Sequence, residues 1–515
     1  MPGLLRAVAA ERPGHPAVVD GETTLTFAEL ADHVMAAARG FIGLGVEPGD
    51  RVAIWAPNTW EWVLALLGLQ SAGAVLVPLN TRYKGVEAAH ILRASQAEVL
   101  CTVQGFLGND FVTMLSDADL PDLRTTVVLR GEIPDGTLSF DGLIAAGGGV
   151  APAEVDRRVA ALTPETLSDL LFTSGTTGLP KGVMCTHGQT LRAFADWART
   201  VGLGPDDRYL VVNPFFHAFG YKAGIVAAFS VGATVVPEAI FDTERVMEAV
   251  ESHKITMLPG PPALYQTMLN HPALDMTKLS SLRLAVTGAA VVPVALVEAM
   301  RDTLGFDTVI TGYGLTEACG IATMCRHDDD PQTIASFSGR AVPGVEVEVH
   351  DADGVVQPAM TPGEVVVRGY NVMQGYADDP GQTAEAIDEH GWLHTGDIGI
   401  MDERGYLRIT DRLKDMFIVG GFNAYPAEIE SLLAAHPDLA QVAVVGMPDD
   451  RLGEVGVAFV VAAHGATPDP DSIMTWARDQ MANFKVPRQI VVVDSLPLNA
   501  SGKVLKTDLR ARLAP

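Results

Sequence analysis

Cysteine is scarce in this chain, and basic residues are outnumbered. The 515 residues include only Cys101, Cys185, Cys319 and Cys325. Their spacing suits neither a zinc ligand set nor a dense disulfide framework, so a reduced, cytoplasmic setting is expected. Lys and Arg total 36 against 63 Asp and Glu, a formal charge of −27. A surface of that sign repels nucleic acid and anionic lipid. Any polyanionic small molecule must then be held by a few placed cations rather than by a basic face. No uninterrupted apolar run reaches the ~20 residues of a membrane span. The opening MPGLLRAVAAERPGHPAV lacks a long apolar core behind basic residues, so no secretory signal is expected. The closing RARLAP carries no sorting or lipidation pattern. Low-complexity tracts and internal repeats are also missing.

The chain does have alternation. Short apolar runs (RVAIWAP at 51–57, AVLVPLN at 74–80, YLVVN at 209–213, ATVVP at 233–237, ITMLPG at 255–260) are separated by helical patterns at 60–71, 220–230, 244–253 and 293–304. Strands that are apolar throughout, interleaved with helices, predict parallel sheets covered on both faces. After about residue 335 the texture changes. VEVEVHDADG and GEVVVRG alternate at period two, which predicts antiparallel sheet. From residue 412 onward, four short strands and helices over 426–435 and 471–482 predict a small α+β unit. The expected fold is α/β: a large domain (1–411) with two βα-type sheets and a β-rich lobe, then a small mobile α+β domain (412–515). No long linker separates them, so the junction reads as a tight hinge.

The segment LLFTSGTTGLPKGVM (170–184) is the most informative. Glycines let backbone approach an anion closely, and adjacent N–H groups and hydroxyls can hold phosphate oxygens. It supplies Thr173, Ser174, Gly175, Thr176, Thr177 and Gly178, followed by Lys181 as a placed charge. Pro180 before the lysine and Gly182 after it exclude the Gly-Lys-Ser/Thr ending of a P-loop.

This segment resembles the phosphate loop of the adenylate-forming superfamily: acyl-CoA synthetases, luciferases and peptide-synthetase adenylation domains. Four further segments match that family in order: TGYGLTE (311–317), GWLHTGD (391–397), GYLRITDRLKDMFIVGGFNAYPAEIE (405–430) and PLNASGKVLK (497–506). The resemblance implies a site built as follows. Thr316 donates to the α-phosphate, and Glu317, with Thr177, holds Mg²⁺. Tyr313, between Gly312 and Gly314, faces adenine, and Gly288, Ala289 and Ala290 border it. Asp397 accepts from the ribose hydroxyls, and Arg412 contacts ribose or phosphate. Lys503 reaches the α-phosphate and the incoming carboxylate. Lys414 is the hinge, and Gly420 and Gly421 line the pantetheine tunnel. His217, in PFFH, stands beside the acyl carboxylate, although a structural histidine reads there too.

The resemblance further implies a ligase that converts an acid, ATP and CoA to acyl-CoA, AMP and pyrophosphate through an acyl-adenylate. An amino-acid adenylating domain is disfavoured, because PFFHAFGYKAG lacks the acid that would meet a substrate amino group. Phe219, Tyr221, Lys222 and Gly224 are assigned to the acyl pocket. Its apolar character calls for a hydrophobic acid. Lys222 reads either as a helix-surface charge or as a partner for a substrate keto oxygen. This stretch is similar to actinobacterial ligases acting on the propanoate side chain of the two-ring remnant of sterols; a medium- or long-chain fatty acid is the alternative. The sequence leaves open a homodimer.

Overall fold

The computed structural model describes residues 1–173, 180–288, 292–412, 415–419, 422–449, 452–481, 483–498 and 504–513. Its centre is an eight-stranded sheet. From one edge the order is Gly375–Tyr376, Lys181–Thr186, Leu167–Thr173, Val75–Pro78, Arg51–Trp55, Val99–Val103, Thr125–Arg130 and Leu138–Ser139. The last six strands run parallel, as all-apolar runs should when both faces are covered. The helix Trp60–Ser71 is buried on every side, and its sequence is correspondingly apolar all round apart from Glu61, Gln70 and Ser71.

The wholly parallel expectation is corrected at one edge. Leu167–Thr173 and Lys181–Thr186 pair antiparallel, with Asp169 opposite Cys185 and Thr173 opposite Lys181. The two strands that flank the Gly/Thr-rich segment are therefore antiparallel neighbours. A connection this short can join antiparallel neighbours, whereas a parallel pair needs a crossover of a dozen or more residues. The pair is anchored behind by the helix His187–Val201. Thr186 and Gln189 cap it reciprocally: Gln189 N–H donates to Thr186 Oγ1 at 3.2 Å, and Thr186 N–H donates to Gln189 Oε1 at 2.9 Å.

A second parallel sheet contains Arg208–Val211, Thr234–Pro237 and Pro16–Asp20. Met257 bridges Tyr209 to Leu284 and so extends this sheet to Leu284–Thr287 and Thr308–Tyr313. Both sheets thus deliver their carboxyl ends, Thr173 and Tyr313 among them, to loops that carry the motif residues. The lobe after residue 335 is antiparallel as its period-two pattern predicts, in the order Val345–His350, Gly363–Gly369, Leu393–Met401, Leu407–Arg412. The chain leaves that sheet at Arg412. By Phe417–Val419 it has entered a five-stranded sheet with Phe422–Ala424, Leu439–Asp449, Gly453–Ala462 and Gln489–Val492. The large core gathers residues up to Leu407, and separate clusters around Phe417, Val444 and Phe459 serve the second unit.

One buried histidine gives the large core an acid sensitivity. His187 is 5% exposed, and its Nδ1 lies 3.4 Å from the Met1 amine. Burial, with the amine's charge, holds its pKa down at about 3. The unfolded chain binds that proton near pH 6.5, so stability is full above that value and falls as the pH drops toward 3. Melting the wild type and His187→Gln at pH 7 and pH 5 checks this. The variant should lose less on acidification, by ~2 kcal/mol.

Candidate active site

The motifs converge where the sheets end. The strand Thr308–Tyr313 runs into a short turn, Thr316–Ala318, which Cys319 ends in the left-handed region at φ 57°. Gly314 allows this turn to close: a Cβ there would lie 2.4 Å from the Gly320 carbonyl. The turn presents Glu317, whose Oε1 accepts from the Tyr376 hydroxyl at 3.0 Å, while its backbone carbonyl accepts from Met373 N–H at 2.8 Å. Burial, followed by the Glu317 charge, drives the Tyr376 phenol well above its ordinary pKa, so it stays a donor.

Tyr313 reaches the lobe. Its hydroxyl donates to Asp397 Oδ2 at 2.6 Å, joining TGYGLTE to GWLHTGD. Asp397 is itself paired in strand register with Arg412. Gly288 follows the strand Leu284–Thr287, and the place a Cβ would take is in ordinary contact with the Gly312 carbonyl, 3.8 Å away. The two glycines lie side by side, each one residue beyond the paired Thr287 and Thr311 of neighbouring parallel strands. Lys181 turns toward the outer side of its strand pair. Its ammonium donates to Gln382 Oε1 and lies 5.1 Å from the centre of the Tyr376 ring. It borders a cavity of about 450 Å³ lined also by Phe172, Tyr376, Asp378 and Asp379.

His217 sits at the start of a short helical turn, with its Nδ1 accepting from Phe219 N–H at 3.1 Å. Its side chain meets solvent, yet surrounding protein lowers its pKa, as expected in a recess of the surface. It is therefore neutral at physiological pH. Asn58 holds the strand end before it. Its Nδ2 donates to the Val211 and Asn213 carbonyls at 3.0 and 2.9 Å, and its Oδ1 accepts from Phe215 N–H at 2.7 Å.

The acyl-pocket reading is corrected for three of its four residues. Phe219 keeps an accessible face, whereas Tyr221, Lys222 and Gly224 are buried and line no open space. Tyr221 accepts from Gln70 Nε2 at 3.3 Å, and a Cβ on Gly224 would press into Val211 at 2.8 Å. Lys222 is neither a surface charge nor a group open to a substrate oxygen. It has no exposure, and its ammonium lies 3.0 Å from Asp169 Oδ1. The helix expected over 220–230 is locally widened into a π-helix at Tyr221–Val226, which turns Lys222 inward.

A model of the AMP-binding enzyme family matches residues 5–377, and its C-terminal-domain model matches 428–503. The chain belongs to the acyl-CoA ligases of the AMP-binding enzyme family. The ligase is 52% identical over 510 residues to the 3-[(3aS,4S,7aS)-7a-methyl-1,5-dioxo-octahydro-1H-inden-4-yl]propanoyl:CoA ligase of Mycobacterium tuberculosis, covering 99% of this chain and 98% of that one. Identity to the ligase of the same name from Rhodococcus jostii is 50%, with the same coverage. Among solved structures, ATP-bound MatB from Rhodopseudomonas palustris superposes with a TM-score of 0.89 at 29% identity, covering 99% of this chain and 98% of that one. An anthranilate CoA ligase in complex with anthranoyl-AMP does so with the same score and identity, covering 99% and 96%. The ligase joins an acid to CoA at the expense of ATP. Among the described residues no helix is long and apolar enough to cross a membrane.

Of the residues singled out from sequence, Thr173, Lys181, Gly288, Gly312, Tyr313, Gly314, Thr316, Glu317, Asp397 and Arg412 lie on the elements described above. Ser174, Gly175, Thr176, Thr177, Gly178, Ala289, Ala290, Lys414, Gly420, Gly421 and Lys503 lie outside the described residues. Tyr376, Asn58 and Asp169 were missed. Tyr376 sits in NVMQGYADDP, which carries no pattern. A polar Asp169 inside the apolar run LSDLLF is the one signal that could have exposed a buried partner.

Proposed function

We propose that the acid is a propanoate borne on a hydroindanedione, the two-ring remnant of a sterol. The carrying observation is identity of 52% and 50%, over nearly the whole chain, to two ligases named for that acid. The aromatic edge left accessible by Phe216 and Phe219 beside His217 suits a bulky apolar body with its carboxylate at the recess.

In this reading the segment 174–179 cradles the β- and γ-phosphates, with Lys181 swinging from Gln382 toward them. Gly288 to Ala290 and Tyr313 flank adenine, and Asp397 and Arg412 hold the ribose. A carboxylate oxygen of the acid attacks the α-phosphorus and pyrophosphate leaves. Thr316 and Lys503 offset the charge that builds on the phosphate oxygens. The CoA thiol then attacks the acyl carbon and AMP leaves. A Mg²⁺ ion bound through nucleotide phosphates needs only one or two protein carboxylates. Glu317 fits that role, and no cluster of three metal-ligating side chains occurs among the described residues to offer an all-protein site. Such an ion would neutralise phosphate charge. The switch of sheets between Arg412 and Phe417 is where the small domain (412–515) would turn on the large one, with Lys414 as hinge, bringing Gly420 and Gly421 to the pantetheine arm.

The test compares kcat/KM for the hydroindanedione propanoate with values for octanoate and palmitate. One missing or added methylene is worth about 10–200-fold in an apolar pocket. A whole ring system should therefore separate the acids by at least ~10² in favour of the hydroindanedione. Equal or better use of a fatty acid overturns the assignment.

A further inference from the structure

We propose that the buried Lys222–Asp169 pair is a positioning element for adenylation, holding the strands that flank the Gly/Thr-rich segment, the recess of His217 and the turn Thr316–Ala318 in one frame. Neither side chain has any exposure, and their charged atoms are 3.0 Å apart. Asp169 stands on Leu167–Thr173, the strand that precedes the Gly/Thr-rich segment, and pairs in register with Cys185 on the strand that follows it. Ser168 Oγ donates to its other oxygen. Lys222 stands in the π-helix that follows His217–Gly220, and its ammonium also donates to Cys319 Sγ at 3.4 Å. Cys319 ends the turn that presents Thr316 and Glu317, and it lies 3.7 Å from Thr190 Oγ1 on the helix behind those strands. The ammonium, carried by the segment that follows His217, therefore touches the other two segments that must bring a carboxylate in line with an α-phosphorus.

Stability alone gives no reason for this arrangement. Desolvating two charges costs more than packing two neutral side chains of similar volume, and such replacements are often neutral or stabilising. What an ion pair adds is a single geometry. Burial is the largest single influence and works against the ammonium, but the Asp169 carboxylate, together with Cys185, Cys319 and Tyr221, outweighs it and raises the Lys222 pKa, so the frame holds through the working pH range. A misplacement of about 1 Å at reacting atoms costs ~10² in rate. Once the acyl–phosphate bond exists, that alignment is covalent and the frame is no longer needed for thiol attack.

The inference rests on the proposed roles of the segment 174–179 and of Thr316, so the experiment separates them. The double variant Asp169→Asn/Lys222→Met removes both charges and strands neither. It should melt near the wild type, form acyl-adenylate from acid and ATP ~10²-fold more slowly, and convert supplied acyl-adenylate and CoA to thioester at close to the wild-type rate. Cys319→Val unpairs no charge and loosens only the turn. It should slow adenylation about tenfold, the scale of one lost charge-assisted hydrogen bond, and spare the second half-reaction. Wild-type adenylation in both variants, or an equal fall in both half-reactions, overturns the proposal. Thr316→Ala runs alongside. Loss there without loss in the other variants overturns the pair's role alone, and loss in none overturns the reading of the turn as well.

Discussion

Lys503→Ala is expected to slow acyl-adenylate formation by at least ~10²–10³, while supplied acyl-adenylate and CoA still give thioester. Attack of a carboxylate on the α-phosphorus joins two anions, and the added charge falls on the phosphate oxygens. A pre-placed cation offsets that charge without reorganising, and removing one neutral donor of this kind already costs ~10²–10³. Thiol attack on the acyl carbon instead expels AMP and builds charge elsewhere. Gly421→Leu should show the reverse. Pyrophosphate exchange should persist, because the adenylation geometry is untouched, and thioester formation should fail, because a side chain blocks the pantetheine path. Both residues come after Arg412 in the sequence, beyond which the chain passes from the lobe's sheet to a separate sheet and core. Running the two half-reactions separately on both variants is the measurement. If Lys503→Ala slowed both halves equally, one fixed site would serve both steps and domain rotation would be refuted.

Much of the fold was legible because hydrophobic period reports burial directly. RVAIWAP and AVLVPLN had no polar face to give to solvent, and they became central parallel strands, Arg51–Trp55 and Val75–Pro78. VEVEVH alternated, and it became Val345–His350, with its glutamates on the less buried face. Period does not name a strand's partner, so the antiparallel pairing of Leu167–Thr173 with Lys181–Thr186 was invisible: two apolar strands look the same whether their neighbour runs parallel or antiparallel. The small unit's strands were read too short for a related reason. Gly446 to Asp449 have little β-propensity, yet pairing with Gly453 to Gly456 carries the strand through them. The family was legible because the motifs that carry it are local. Lys222 was misread because its meaning is not. Both the surface reading and the substrate reading took an isolated cation to need something mobile, and its partner lay on a distant strand as the one acid in an apolar run. Tyr376 and Asn58 act through hydrogen bonds to remote backbone or carboxylate groups, which no spacing announces.

Asp397→Ala should raise the KM for ATP by ~10² and leave the KM for the acid close to that of the wild type. An ionised carboxylate that accepts both ribose hydroxyls makes two charge-assisted bonds, each worth ~1.5–3 kcal/mol. Asp397 is 6% exposed, and its Oδ2 accepts from the Tyr313 hydroxyl at 2.6 Å. Its strand holds register through backbone bonds that alanine preserves. The rival explanation is that Asp397 merely steadies Tyr313, so that its loss would disturb adenine stacking indirectly. Tyr313→Phe separates the two. It deletes the 2.6 Å bond while keeping both the ring and the carboxylate. If Asp397 binds ribose, Tyr313→Phe should change the KM for ATP by no more than the ~tenfold of one hydrogen bond, well short of Asp397→Ala. Equal losses in the two variants would mean that the carboxylate acts through the tyrosine, and 2′-deoxy-ATP would then bind the wild type as well as ATP does. Discrimination against 2′-deoxy-ATP by the wild type that disappears in Asp397→Ala assigns the contact to the ribose itself, because only a group touching that hydroxyl can sense its removal.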